Sequence, residues 1–268
     1  MKLDDAQRVP AQPFAPGPDF SSSGCTSWCP GRVWQDVDGP VMIDVPPGWF
    51  TMGECAGDKL ASDVERPAHE VSIPAGLAFS MAQITVAEYR RFAREYLPGE
   101  DPELPAVQVS WVDAAEYCAW LSLRTGRAYR LPGESEWEFC CRAGSLALFA
   151  FGDELTPQMA NYLYTEKGAR VGQGRRTRAG TFPPNVFGLH DVHGNVCEWV
   201  ADVWHPTYDG APAEGSIWSG SGELRVMRGG AWDHQPRQLR SSHRDCLGRH
   251  CRRDNVGFRV AVRLETPE

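Results

Sequence analysis

The sequence predicts an α+β fold with few helices, short strands and much ordered but irregular loop. Three observations carry that reading. Only three stretches combine helical periodicity with start and stop signals. The apolar runs suited to strands are short, and 27 glycines and 21 prolines punctuate the chain around them. Ten tryptophans are spread over segments that have no sustained period, a pattern suited to pinning loops onto one core.

Residues 1–32 are rich in Pro, Ser and Gly and poor in aliphatic residues. That composition predicts a disordered or loosely packed lead ahead of a single domain over 33–268, which no composition break or repeat divides. A strand at 41–45, a turn at Pro46, Pro47 and Gly48, and a partner strand at 49–53 open the domain. A polar loop over 58–69 and two short strands at 71–73 and 78–81 follow. Thr85 is placed to cap a helix over 86–97, with Val86, Tyr89, Phe92, Ala93 and Tyr96 on one face and Pro98 and Gly99 to end it. Ser110 and Asp113 have the spacing of a capping box and open a second helix, through 114–121, that stops near Gly126. A third helix spans 134–142. The closing stretch, 225–263, has a strand at each end, the first reaching Gly229 and Gly230 and the second covering 256–262. Its interior is dense in Arg, His, Cys and Asp and nearly free of aliphatic residues, so it predicts a surface loop held at both ends.

A net charge of −8 argues against a general nucleic-acid binder. No apolar run is long enough to span a membrane, and the first twenty residues lack a signal-peptide core, which predicts a cytoplasmic protein. The nine cysteines do not form the spaced framework of a small secreted domain. Cys118, Cys140 and Cys141 sit among apolar residues as buried thiols would, whereas Cys25 with Cys29, or Cys246 with Cys251, are close enough to bridge under oxidation.

Eight segments fall into a known order: 46–53 (PPGWFTMG), 66–69 (RPAH), 84–89 (ITVAEY), 109–115 (VSWVDAA), 130–138 (RLPGESEWE), 185–199 (NVFGLHDVHGNVCEW), 228–232 (RGGAW) and 255–259 (NVGFR). Together they resemble the formylglycine-generating enzyme, or sulfatase-modifying factor, family. The resemblance implies a C-type-lectin-like formylglycine-generating-enzyme fold. It also implies Ca²⁺ held by the side chains of Asp191 and Glu198 and the backbone carbonyls of Gly194 and Val196, hard oxygen donors of the kind calcium prefers. The alternative is that Asp191 caps a turn and Glu198 pairs with an arginine. A second calcium site of the family maps to Asn161 and Tyr162, but the residues after them match poorly. The family's oxidases bind copper(I) through two cysteines five residues apart, at positions where this chain has His234 and Leu239. Leucine ligates no metal, and Cys246 and Cys251 keep the spacing but come twelve positions late, so copper is not expected. Relatives that make sulfur-containing histidine derivatives carry their iron ligands on an additional helical domain, and only a short polar lead precedes the shared region here.

Residues 233–255 then admit three readings. The leading one is a surface that binds an unknown protein or small-molecule ligand through Asp233, His234, Arg237, His243, Asp245, Arg249, His250 and Asp254. The segment resembles the variable region of proteins diversified by bacterial retroelements. It has a scaffold of 228–232, 239–241 (LRS) and 256–259, and most intervening residue types are reachable from an AAC codon by replacing adenines. Gln235 and Gln238 are not reachable in that way. The second reading is an oxidoreductase pocket with acid–base chemistry by His234, Arg240, His243 and Asp245, histidine being the natural proton carrier near neutral pH. The third is a zinc site from His234, His243, Cys246, His250 and Cys251, which lack a standard ligand framework. A loop that is merely solvated stands beside all three.

Overall fold

The computed structural model describes residues 31–264, so the lead up to residue 30, with Cys25 and Cys29, lies outside the described residues. Strands β1 (Val33–Gln35), β2 (Val41–Val45) and β3 (Gly48–Met52) come first, then β4 (His69–Ile73) and β5 (Leu77–Ser80). Helices α1 (Val86–Phe92), α2 (Trp111–Thr125) and α3 (Glu134–Arg142) follow. The last strands are β6 (Cys197–Val203), β7 (Leu224–Arg228), β8 (Asp245–Gly248), β9 (Val256–Phe258) and β10 (Ala261–Arg263). One sheet has the order β1-β2-β5-β10, a second pairs β3 with β4, and a third has the order β8-β7-β6-β9 with β6 and β9 parallel.

Local chemistry sets the helix ends. Ser110 Oγ accepts from the Asp113 backbone N–H at 3.2 Å, and the Asp113 carboxylate accepts from the Ser110 N–H at 2.8 Å, so the predicted box caps α2. Gly126, at φ +75°, closes that helix in the left-handed region. Helix α1 is shorter than the expected 86–97. Arg90 donates to the Tyr96 and Leu97 carbonyls, and the Tyr96 ring turns back onto Tyr89 with centroids 4.5 Å apart, so the chain leaves the helix after Phe92. Helix α3 matches 134–142, yet all nine of its residues are buried. A buried helix carrying three glutamates needs cations supplied from elsewhere, and this requirement organises the rest of the molecule.

Two apolar cores flank the third sheet. Tyr89, Tyr117, Leu121, Trp199 and Phe258 belong to one, and Ile43, Phe79, Trp137, Leu189 and Val200 belong to the other. Cys118, Cys140 and Cys141 are buried as expected, and burial pushes the Cys141 thiol up to about 12. The expected single strand over 256–262 is two strands. β9 pairs with β6, β10 pairs with β5, and Arg259 between them turns inward to Glu198. The predicted loop over 233–255 also holds more structure than its composition suggested. It contains a 3₁₀ turn at Pro236–Leu239 and the edge strand β8, and its Leu239 side chain is fully buried. No described helix is long and apolar enough to cross a membrane.

Candidate functional site

The C-terminal strap, 229–255, begins where the backbone must be glycine. Gly230 has φ +70°, and a Cβ there would sit 2.6 Å from the Gln238 carbonyl oxygen. From that turn the strap runs inward, and arginines tie it to α3 and to the 58–65 loop. Arg228 donates to Glu138 and to the backbone carbonyls of Ser241 and Ser242, at 2.9 and 2.8 Å. Arg244 grips both oxygens of Glu134 at 2.6 and 2.8 Å and stacks over Tyr208 and Trp204. Arg240 reaches both oxygens of Glu65 at 2.7 and 2.8 Å and Asp58 at 2.6 Å. Burial raises the Glu65 carboxyl, but the hydrogen bonds and charge of Arg240 outweigh it and hold the group at about 2.

These contacts correct one expectation. Arg240 was a candidate for acid–base chemistry, but it is 2% exposed and spends its guanidinium on Glu65, Asp58, Ser242 and the Leu60 carbonyl. It positions the strap, and part of it forms one wall of a surface depression.

Of the remaining acid–base candidates, His234 lies beside Asp233. His234 Nδ1 accepts from the Ala231 backbone N–H at 3.2 Å, which places its proton on Nε2, 3.9 Å from Asp233 Oδ1. Burial lowers the His234 pKa, while the charges of Asp233 and Asp245 act to raise it. His243 lies in the same electrostatic neighbourhood, and burial takes it down to about 4. Both imidazoles are therefore neutral near pH 7. His193 was not singled out from the sequence. It is buried with Nδ1 on the Leu239 carbonyl at 2.7 Å and Nε2 accepting from Ala150 N–H at 2.9 Å, so neither nitrogen is free.

The outer half of the strap faces solvent. Asp233, Arg237, Asp245, His250 and Asp254 are exposed, and Arg249 is half-buried against Glu223 at 2.9 Å. Asn255 holds both Asp233 oxygens, at 3.0 and 3.1 Å, and Arg252 pairs with Asp113 at the start of α2. A depression of about 460 Å³ lies beside Arg252, walled by Tyr89, Tyr96, Gln108 and Asp113. A second, of about 270 Å³, has Arg237 and Arg240 in its wall with Tyr162 and Leu155. His234, His243, Cys246, His250 and Cys251 do not gather into a metal-holding group among the described residues. Cys246 and Cys251 are both free thiols, the former on edge strand β8 opposite Val226.

The residues expected to hold calcium are brought together, and all but one of their side-chain oxygens are already hydrogen-bonded. Glu198 is fully buried, and Arg259 reaches its two oxygens at 2.6 Å each, with Trp137 Nε1 donating at 2.7 Å. The Asp191 carboxylate accepts from the Gly180 N–H at 2.6 Å, and its other oxygen is buried without a hydrogen-bond partner. The carbonyls of Gly194 and Val196 face the amide of Gln83, a residue the sequence reading passed over although it directly precedes Ile84 and Thr85. Its signal was there to be noticed: a polar side chain between two buried apolar elements needs a partner.

Residues 32–264 match the model of the sulfatase-modifying factor enzyme 1-like domain. Inactive C-alpha-formylglycine-generating enzyme 2 of Mus musculus is 28% identical over 303 residues, covering 90% of this chain and 91% of its own. Formylglycine-generating enzyme of Bos taurus is 27% identical, covering 82% and 75%. Among solved structures, PvdO from Pseudomonas aeruginosa superposes with a TM-score of 0.79 at 37% identity, over 89% of this chain and all (100%) of that one. Variable protein 1 of Treponema denticola shares the fold, with a TM-score of 0.68 at 21% identity over 84% and 95%. The architecture is thus the C-type-lectin-like formylglycine-generating-enzyme fold that the eight segments implied.

Proposed function

The chain belongs to the sulfatase-modifying factor enzyme 1-like family, and from that premise we propose that it is a binding protein which uses the family fold as a rigid mount. Its ligand, a protein or small molecule, is engaged through Asp233, His234, Arg237, His243, Asp245, Arg249, His250 and Asp254. One observation carries the proposal. The strap is fastened by three buried arginines, Arg228, Arg240 and Arg244, while charged side chains of its outer half are exposed to solvent, several in ion pairs at the rim, and the strap borders two depressions. A surface already ordered before binding loses little conformational entropy on meeting its ligand. His234 and Leu239 at the family's copper positions fit the same reading, since they cannot supply a thiolate pair. The scaffold at Arg228, Gly229, Gly230 and Trp232 and at Gly257, Phe258 and Arg259 adds support for a retroelement-diversified loop.

A second reading rests on the shared neighbourhood of His234, His243, Asp233 and Asp245, which suits an oxidoreductase pocket with altered chemistry. Copper content and oxygen uptake with a cysteine-containing peptide separate the two. The binding reading expects neither. Stoichiometric copper, with oxygen uptake lost in Cys246→Ser or Cys251→Ser, sinks it. In the neighbouring DNA, a near-copy of the loop's coding sequence beside a reverse-transcriptase gene is the mark of diversification.

A further inference from the structure

Gln83 is 1% exposed and lies just after β5, where its side chain enters the turn that leads into β6. Four acceptors surround its amide nitrogen. The carbonyl oxygens of Asp191, Gly194 and Val196 lie at 3.3, 3.3 and 2.9 Å, and Glu198 Oε1 lies at 3.1 Å. An amide nitrogen carries two protons, so these oxygens outnumber the hydrogens they share. They converge because the chain takes left-handed conformations at Asp191, Gly194 and Asn195, with φ of +54°, +89° and +63°. A ring of carbonyls and a carboxylate around one buried point is the donor set of a hard cation.

The neighbours decide which end of the Gln83 amide faces that ring. The Thr177 backbone N–H can only donate, and it donates to Asn195 Oδ1 at 2.9 Å. Asn195 therefore presents its nitrogen to Gln83, whose Oε1 accepts at 3.1 Å. With its oxygen so used, Gln83 directs its NH₂ into the ring. The charge is settled as well, since Arg259 already lies against both oxygens of Glu198. A divalent ion in the ring would stand beside that guanidinium with a single carboxylate to serve both. The Asp191 side chain, the other anionic donor expected, is turned onto Gly180 N–H through one oxygen, and its other oxygen is buried without a hydrogen-bond partner.

We infer that the Gln83 amide takes the place of a metal ion in this chain, closing the 191–198 turn with internal hydrogen bonds so that the fold needs no calcium there. The family's expected donor set is present, but it does not fit the ion while Gln83 occupies its centre.

Metal analysis of the protein purified without chelator, with melting curves in excess calcium and in excess chelator, tests this directly. The expected result is no stoichiometric calcium and one melting temperature in both conditions. One calcium per chain, or a melting temperature that rises with calcium, overturns the inference. Gln83→Glu sharpens the test by exchanging the NH₂ for an oxygen beside Glu198. That variant is expected to melt at least ~5 °C lower in chelator and to recover in calcium. A variant that calcium does not stabilise overturns the claim that the ring is a cation's donor set. Should Gln83→Glu fail to accumulate, metal content and melting of the unaltered chain decide alone.

Discussion

Residues 239–244 and 249–254 are alike in composition and opposite in fate. Each carries two or three arginines and one histidine. In the first segment Arg240 and Arg244 are 2% exposed and close onto Glu65 and Glu134. In the second, Arg252 and Arg253 are exposed, and the ion pairs made by Arg249 and Arg252 lie at the rim. The difference comes from what each segment faces. The inner one meets a helix whose glutamates were buried by the packing of Trp137 and Phe139, and a buried carboxylate without a cation is far costlier than an exposed one. The outer one meets water, where a guanidinium has no need of a partner. Arginine is structural in one place and available for recognition a few residues later.

The sharpest way to break this contrast is to remove an inner cation. Arg244→Ala leaves the buried Glu134 with only the Tyr208 hydroxyl at 3.3 Å and the Arg228 guanidinium at 3.7 Å, and is expected to cost about 3 kcal/mol, read from urea unfolding. A loss below ~1 kcal/mol would mean that the inner pairs behave like surface ones.

Acid should reveal the inner region next. His193 and His243 both have folded pKa values lowered to about 4 by burial, from an ordinary value of 6.5. A base whose folded pKa is depressed leaves the unfolded chain holding more protons between those limits, so its contribution to stability is present above 6.5 and lost as pH falls towards 4. Asp202 acts the other way, because burial raises it to about 7 and its contribution is lost as pH rises from 3.8 through that value. The two histidines are expected to prevail. The melting temperature should fall between pH 6.5 and 4, and more steeply in Asp202→Asn. A flat profile in that variant would show that neither imidazole is held neutral.

A cap outside both regions sets the scale. Ser110→Ala removes the acceptor for the Asp113 N–H at the head of α2 and is expected to cost about 1 kcal/mol. Chemical denaturation with an unchanged midpoint would contradict the capping box.

The smallest effects belong to the outer segment. Arg252→Ala and Asp254→Ala should each stay within ~0.5 kcal/mol of the parent in stability. A larger loss would place that surface among the structural elements and leave less of the strap for binding.

Much of this was legible in the chain. The signals at Thr85, Ser110, Asp113 and Gly126 are local, because a cap satisfies a backbone group three residues away, and they located α1, α2 and the end of α2. The C-terminal end of α1 was not legible. What ends it is Arg90 reaching carbonyls six and seven residues on, a contact with no fixed spacing. The strap's position as a surface held at both ends followed from its composition, but which of its arginines turn inward did not. Glu198 shows the same division: pairing with an arginine was one of two readings open for it, and only the fold brings Arg259 to it.

The sequence by itself determined the fold class, the family and the absence of cysteine from positions 234 and 239, since these depend on local periodicity and on which residue types are present. Tertiary structure decided which charges are buried together. It joined α3 to the strap through Glu134 and Arg244, 110 residues apart, and it set the Gln83 amide among oxygens more than a hundred positions away. Those contacts exist because a buried charge or amide must find its partner wherever the packed chain has put one, and that distance in sequence is set by topology rather than by any repeat a reader could count.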